Sequence, residues 1–207
     1  MRIRPMGAHA LLLEVDDPAA WYADVSRRRA AGEVTLVDLV PGARTLLLDG
    51  VTDMAATTEL VRSWPAPPPA PSAPDSLVEI PVDYGGDDLT AVAAVWKLSE
   101  AEAIETVART EFTVAFCGFT PGFAYLTGLP SELAVPRLDT PRAKVPAGSV
   151  ALADCYAGIY PTASPGGWRL IGSTDAVLLD PDRSPPVLLA PGTRVRLTVR
   201  SSPVGPA

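Results

Sequence analysis

The sequence predicts a two-domain protein, with a small α+β domain followed by a domain that we interpret as a β-barrel. The first 64 residues alternate between strand and helix periodicity. The second half contains many short apolar runs separated by glycine and proline, a pattern typical of barrels. Between them, six of the ten residues 65–74 are proline, which predicts an extended spacer. We therefore place the domains at residues 1–64 and 77–207, joined by a linker at 65–76.

The elements of the first domain are predicted in the order βαββα, as in a small α+β sandwich. Asp16 and Asp17 precede a proline and supply an N-cap for the first helix, and Gly32 is placed to end it. Thr52 is expected to cap the second helix. The predicted strands cover residues 9–15, 33–40 and 44–48, and the predicted helices cover residues 18–31 and 52–64.

The second domain is expected to begin with a strand and two short helices. Ser99 and Glu102 form the sequence pattern of a capping box in front of the second of these helices. Residues 118–172 are rich in glycine and proline and predict ordered loops between short strands, which is where binding sites are often found. The remaining predicted strands cover residues 77–83, 112–117, 176–179, 187–189 and 194–199, and the predicted helices cover 89–98 and 100–109.

The composition excludes several classes of function. The chain has 17 basic and 24 acidic residues, a net charge of −7, which argues against a surface for nucleic acid. No apolar segment near the start is long enough for a signal peptide or a membrane span, so we expect a cytoplasmic protein.

Histidine and cysteine are scarce. His9 is the only histidine, so neither a multi-histidine metal site nor a Ser–His–Asp triad is expected. Cys117 and Cys155 are too few for a disulfide framework and are interpreted as buried, inert thiols, with a nucleophilic role as the alternative. Any chemistry must therefore use hydroxyls, carboxylates, Arg, Lys or backbone amides.

Three long motifs occur in order after residue 117. The run GFTPGFAYLTGLP at 118–130 resembles the GFxPGFxYLxGLP signature of the family that includes the 5-oxoprolinase B subunit, KipI and allophanate hydrolase subunit 1, the carboxyltransferase domain with subdomains C and D. PRLDTPRAKVPAGSV at 136–150 and AGIYPTASPGGWRLIGST at 157–174 continue the resemblance. GAHALLLEV at 7–15 and IPVDYGG at 80–86 extend it over nearly the whole chain.

This resemblance implies a cyclophilin-like β-barrel in the second domain. It also implies a non-autonomous subunit of an ATP-dependent amidohydrolase, which acts with a homologous C subunit and a LamB/YcsF-type A subunit. The assembled complex would use ATP to open 5-oxo-L-proline into L-glutamate. Since no GxxxxGK[S/T] segment is present, ATP is expected to bind in the assembled complex rather than to this chain alone.

The residues also predict an anion-binding pocket at the barrel face. Arg137 and Arg142 are suited to binding a carboxylate or phosphate, and we expect Ser149 to lie beside them. In the alternative, the arginines tie loops to carbonyls or acidic partners and the glycines only shape turns. No catalytic residue and no metal ligand is assigned. The full set of candidate substrate-binding residues is Tyr125, Arg137, Arg142, Ser149, Tyr160 and Thr174, with Gly118, Gly122, Gly148, Gly166 and Gly167.

The sequence departs from the family pattern at four positions. Val107 stands where a histidine is usual, Tyr156 and Ala157 replace Gln and Thr, and Ser173 replaces an arginine. These departures leave two alternatives open: a KipI-type regulator that binds and inhibits a sensor histidine kinase, or a divergent paralogue that is non-catalytic or has another substrate.

Overall fold

The computed structural model describes residues 1–68 and 77–200. The chain divides into two compact units, Met1–Ser72 and Ala73–Ala207, and the boundary lies within the proline-rich segment. The part of the predicted spacer at 69–76 lies outside the described residues, as do residues 201–207, so the limits of the linker stay predictions. Among the described residues, no helix combines the length and the apolar character that a membrane span requires.

The N-terminal unit is an antiparallel sheet with two helices, in the strand order β1-β2-β4-β3. The α+β class is confirmed. The order along the chain is ββαββα, so the prediction missed β1, which is too short to show periodicity. The elements are β1 (Arg2–Pro5), β2 (Ala10–Glu14), α1 (Pro18–Ala30), β3 (Asp38–Pro41), β4 (Thr45–Asp49) and α2 (Met54–Ser63).

Local side-chain contacts set the ends of these elements. Asp17 caps α1 by accepting a hydrogen bond from the Ala20 N–H at 2.9 Å. The predicted cap of α2 at Thr52 is wrong by one residue, because Asp53 accepts from Ala56 N–H at 2.9 Å. The predicted strand at 33–40 starts only at β3, because the Glu33 N–H still bonds to a carbonyl of α1.

One face of this sheet packs against the helices. Leu11 and Leu13 of β2, and Leu46 and Leu48 of β4, are almost fully buried. They share one apolar core with residues of both helices, including Val25 and Val61. Since side chains alternate along a strand, the residues between these leucines lie on the other face.

The C-terminal unit is a closed barrel, which confirms the predicted class. Seven strands close in the order β10-β7-β6-β13-β5-β12-β9, and only the β13–β5 pair is parallel. The wall consists of β5 (Leu77–Tyr84), β6 (Glu111–Cys117), β7 (Ala124–Thr127), β9 (Ser149–Ala153), β10 (Tyr156–Ile159), β12 (Arg169–Ser173) and β13 (Arg194–Val199).

Two helices and a two-stranded ribbon complete the unit. They are α3 (Leu89–Trp96), α4 (Glu100–Arg109) and the ribbon of β8 (Arg142–Val145) with β11 (Ser164–Gly166). The capping box of Ser99 and Glu102 is confirmed. The predicted strands at 176–179 and 187–189 are wrong, because these segments share only the Leu179–Val187 bridge. Proline is frequent between them and removes the N–H groups that a ladder needs.

Candidate functional site

A second apolar core lies on the outer side of the barrel wall. Along β9, Val150 and Leu152 belong to the barrel interior, whereas Ala151 and Ala153 belong to a separate cluster with Phe123, Tyr160 and Trp168. The ring of Phe123 lies edge-on to those of Tyr160 and Trp168, with 5.3 Å between centroids in both cases. Val145 of β8 joins the same cluster, so the ribbon covers this part of the wall. We call this cluster the outer aromatic core.

Tyr160 is the buried polar group of the outer aromatic core. Its side chain is almost fully buried, and burial raises the pKa of its phenol. The Trp168 backbone N–H and the charges of Arg137 and Arg142 act in the opposite direction on that pKa. A Cβ at Gly166 would lie 2.2 Å from the phenol oxygen, so only glycine lets the ribbon approach it this closely.

Arg137 is exposed in the segment that precedes β8. Its neighbours are fixed there, because Leu138 N–H donates to the Gly167 carbonyl at 2.7 Å and Arg169 Nε donates to the Pro136 carbonyl at 3.1 Å. The Arg137 guanidinium itself forms no hydrogen bond or ion pair within the described part of the chain. The charge of Arg137 lowers the pKa of the buried Tyr160 phenol, and both residues were sequence-predicted candidates.

Arg142 has partners within the chain. Its Nη2 donates to Asp88 Oδ2 at 2.8 Å, and its Nη1 donates to the Trp168 carbonyl at 3.3 Å. These contacts match the alternative in which this arginine ties loops to an acidic partner. Direct binding of an anion by Arg142 stays a prediction. In either case the charge of its guanidinium lowers the pKa of the Tyr160 phenol.

Asp88 is the residue of this region that the sequence analysis missed. Its buried carboxylate also accepts the Leu170 N–H at 2.7 Å and lies 3.8 Å from Arg169 Nη1. Asp88 precedes α3, where an aspartate normally caps the helix, yet its side chain makes no capping hydrogen bond. In the sequence it resembles an ordinary N-cap, so no local signal separates the two roles.

Ser149 and Thr174, two further hydroxyl candidates, belong to a network of backbone hydrogen bonds that also includes Tyr160. Gly148, with a positive φ of 80°, donates its N–H to the Tyr160 carbonyl at 2.7 Å, and the Tyr160 N–H donates to the Ser149 carbonyl at 3.0 Å. The Thr174 N–H donates to the Gly148 carbonyl at 2.9 Å, and the Thr174 Oγ1 accepts from Ala176 N–H at 3.2 Å. Ser149 and Thr174 are both buried.

The turn from Gly118 to Gly122 brings further aromatic surface to the same place. Gly118 N–H donates to the Phe123 carbonyl at 3.2 Å and so closes the turn. Phe119, in the left-handed region with φ 69°, is 62% exposed, and its ring centroid lies 6.4 Å from that of Tyr160. The ring of Tyr125 stacks on Phe116 with 4.3 Å between centroids and also lies 5.2 Å from Phe123 and 5.4 Å from Trp168, so it packs against the outer aromatic core.

The four departures from the family pattern are spread over the unit. Val107 and Ala157 pack in the barrel interior, and Ser173 is exposed. Only Tyr156 contacts the aromatic cluster, with its ring centroid 5.7 Å from that of Tyr125.

The described residues give no evidence for a reactive cysteine or for a metal site. Cys117 and Cys155 are free and half-buried. The Cys117 Sγ donates to the Leu189 carbonyl at 3.3 Å, and burial raises the pKa of this thiol, which disfavours the reactive thiolate. Within residues 1–68 and 77–200, no group of three or more His, Cys, Asp or Glu side chains is placed to hold a metal ion.

The two-unit fold and its barrel define a class. The family described as "Carboxyltransferase domain, subdomain C and D" matches residues 1–189, so the chain belongs to that family. A part of the urea amidolyase of K. lactis has the same fold, with a TM-score of 0.74 at 17% identity over 96% of this chain and 15% of that one.

Two relatives that align over nearly their full length have the same name. The chain is 39% identical to the 5-oxoprolinase B subunit of Escherichia coli O157:H7, over 92% of both chains. It is 34% identical to the 5-oxoprolinase B subunit of Haemophilus influenzae, over 96% of this chain and 98% of that one. The crystal structure of TTHA0988 matches 99% of this chain with a TM-score of 0.77 at 33% identity, although this chain spans only 41% of TTHA0988. These relatives support the conclusion that the chain is a subunit of the 5-oxoprolinase and carboxyltransferase family.

Proposed function

We propose that this chain is the B subunit of an ATP-dependent 5-oxoprolinase complex. It would act with a homologous C subunit and a LamB/YcsF-type A subunit, in the cytoplasm, to convert 5-oxo-L-proline into L-glutamate. The names of two relatives that align over nearly their full length support this role. The chain would contribute binding and positioning, and we assign it no catalytic residue.

The observation that carries the proposal is the exposed guanidinium of Arg137, which has no hydrogen-bond or ion-pair partner among the described residues and whose charge lowers the pKa of the buried Tyr160. 5-Oxo-L-proline has one carboxylate and one ring amide. An arginine without a protein partner is suited to the carboxylate, because charge-assisted hydrogen bonds are among the strongest in proteins. The phenol oxygen of Tyr160 accepts a hydrogen bond from the Trp168 N–H, and the ribbon buries it. Phe119 would cover the apolar edge of the ring.

The reaction requires donors at the ring carbonyl. In the ATP-dependent reaction, ATP would transfer its terminal phosphoryl group to the ring carbonyl oxygen and leave as ADP. Water would then add to the carbon, the C–N bond would break, the nitrogen would take a proton to become the amine of glutamate, and phosphate would leave, so negative charge develops at this oxygen. Hydrogen-bond donors that face this oxygen lower the barrier. We place ATP, the co-substrate, in the assembled complex.

The test is coexpression of this chain with candidate A and C subunits, followed by an assay of ATP-dependent glutamate release. Activity that depends on this chain supports the proposed role. A stable complex that releases no glutamate would contradict it, and inhibition of histidine kinase autophosphorylation would then be measured.

The site is tested separately in the active complex. We expect Arg137→Ala to raise the KM for 5-oxo-L-proline roughly 10- to 100-fold, as for loss of a charge-assisted contact. Arg109→Ala is the matched control, because Arg109 is an exposed arginine of α4. An unchanged KM in Arg137→Ala would refute the site without refuting the role of the chain.

A further inference from the structure

The sheet of the N-terminal unit ends at β1, and the outer edge of this strand is unpaired. Among the described strands, β1 pairs only with β2. The Met6 N–H donates to the Ala10 carbonyl at 2.7 Å, and on the other side of β2 the Val15 N–H donates to the Arg44 carbonyl at 3.0 Å. Because backbone groups alternate along an antiparallel strand, the N–H and C=O of Ile3 point away from β2. No described residue bonds to them, so they can bond to a further strand.

A groove with a volume of about 390 Å³ lies between β1 and α2, beside this edge. Ile3 and Pro5 line it from β1, and Met54 and Ala55 line it from α2. Leu11, which is almost fully buried, also contributes to its lining. On a strand added next to β1, the side chain opposite Ile3 would project to the same side as Ile3 and enter this groove. The groove therefore suits an apolar side chain.

The other side of the edge carries net positive charge. Arg2 and Arg4 project from β1 away from the groove, and their side chains are 68% and 47% exposed. Arg4 Nε lies 2.6 Å from Glu14 Oε1, whereas Arg2 Nη1 lies 4.0 Å from Glu14 Oε2. In the groove, Arg62 and Glu59 balance each other, with 2.7 Å between Nη1 and Oε1. One positive charge is therefore in excess along β1, in a chain whose net charge is −7.

These charges disfavour a second β1 strand as the occupant of the edge. If two β1 strands paired about a twofold axis at Ile3, Arg2 of each copy would lie directly opposite Arg4 of the other. Like charges directly opposite each other destabilise a strand pair, whereas opposite charges stabilise it. The edge therefore favours a segment that has an acidic residue on either side of an apolar one.

We propose that the outer edge of β1 binds an extended acidic segment of a partner protein as an added antiparallel strand. The partner residue opposite Ile3 exchanges two backbone hydrogen bonds with it and places an apolar side chain in the groove. The two neighbours of that residue face Arg2 and Arg4 with carboxylates. Pro5 has no N–H to donate, which limits the pairing to a short segment. This inference is independent of the proposed function and concerns the N-terminal unit alone.

A synthetic peptide tests the edge on the unaltered full chain. The probe has the sequence Thr-Val-Glu-Leu-Glu-Thr, is blocked at both ends, and places leucine opposite Ile3 and the glutamates opposite Arg2 and Arg4. Isothermal titration calorimetry at low ionic strength should show binding. The same peptide methylated on the leucine nitrogen should bind roughly 10-fold more weakly, because it cannot donate a hydrogen bond to the Ile3 carbonyl.

Charge reversal locates the peptide on the protein. R2E/R4E should bind the glutamate peptide roughly 10-fold or more weakly and should prefer a version with lysine in place of both glutamates, since the charges are then reversed on both sides. R29E/R109E is the control, because both arginines are exposed, lie on α1 and α4, and change the net charge equally. It should keep the preference of the wild type for the glutamate peptide.

The outcomes separate this proposal from non-specific attraction and from self-association. Absence of binding, equal binding of the methylated peptide, or equal losses in the two arginine variants would overturn it. A wild-type dimer in sedimentation velocity that the glutamate peptide dissociates would assign the edge to a second copy and would also overturn it.

Discussion

Each unit contains a β-sheet with two faces, of which one packs on a main apolar core. The two units differ in whether other segments of the same unit cover the second face. In the N-terminal unit, Leu12 and Leu47 face outward and no described element of that unit covers them. In the barrel, the outward side of β9 is covered by the ribbon, which buries Tyr160 and Trp168. The segments that cover the barrel wall bury irregular backbone and polar side chains. These buried polar groups need hydrogen-bond or ion-pair partners. The candidate site is built from these covering segments rather than from the wall itself.

The largest effect is expected at the buried carboxylate of Asp88. We expect Asp88→Ala to lower the free energy of unfolding by about 3–5 kcal/mol, because it leaves the half-buried Arg142 guanidinium without its partner. Urea unfolding of the full chain measures the loss. Asp87→Ala is the control, because Asp87 is exposed, and it should stay within about 0.5 kcal/mol of the wild type. Equal stability of the two variants would mean that the ribbon does not depend on this carboxylate.

A smaller effect is expected where the ribbon approaches Tyr160. Gly166→Ala would place a methyl group 2.2 Å from the phenol oxygen, and we expect it to cost about 1–3 kcal/mol as the ribbon shifts. At Gly167 the nearest atom to an added Cβ is 3.6 Å away, so Gly167→Ala should cost much less. The same unfolding measurement compares the two. If the neighbouring variants lose equal stability, close approach to Tyr160 is not what holds the ribbon.

The smallest effect concerns the wall of the barrel itself. Tyr84 donates its hydroxyl proton to the Leu197 carbonyl at 2.9 Å, and burial raises its pKa well above the ordinary value of 10.0. At a pH between about 10 and the native pKa, the folded protein therefore keeps this proton, whereas the unfolded chain releases it. The resulting stability is fully present below about pH 10 and is lost as the pH rises from there towards the native pKa.

Tyr84→Phe separates this contribution from the rest. We expect the variant to be about 1 kcal/mol less stable than the wild type at neutral pH, owing to the lost hydrogen bond. Because phenylalanine cannot ionise, the difference should shrink above about pH 10. Urea unfolding at neutral and at alkaline pH gives both values. A gap that widens with pH would contradict the direction of the Tyr84 pKa shift.

Local signals in the sequence predicted much of the fold. The cap at Asp17 and the capping box at Ser99 involve partners three residues away, so they are visible in the chain itself. The predictions that failed also have local causes: β1 is too short for a period, and Thr52 and Asp53 are adjacent residues that both favour a cap. Arg137 and Tyr160 were predicted as candidates from their chemistry and from the motifs around them.

The sequence by itself determined the division into an α+β unit and a barrel, the family, and the residue types available for binding. Only the tertiary structure decided which of two similar arginines has no partner within residues 1–68 and 77–200. Arg142 is tied to Asp88, 54 residues away, and Asp88 is bonded to Leu170, 82 residues away. Contacts over such separations depend on how the barrel closes, and no periodicity or spacing in the chain encodes them. Arg137, by contrast, is exposed and has no hydrogen-bond or ion-pair partner among the described residues.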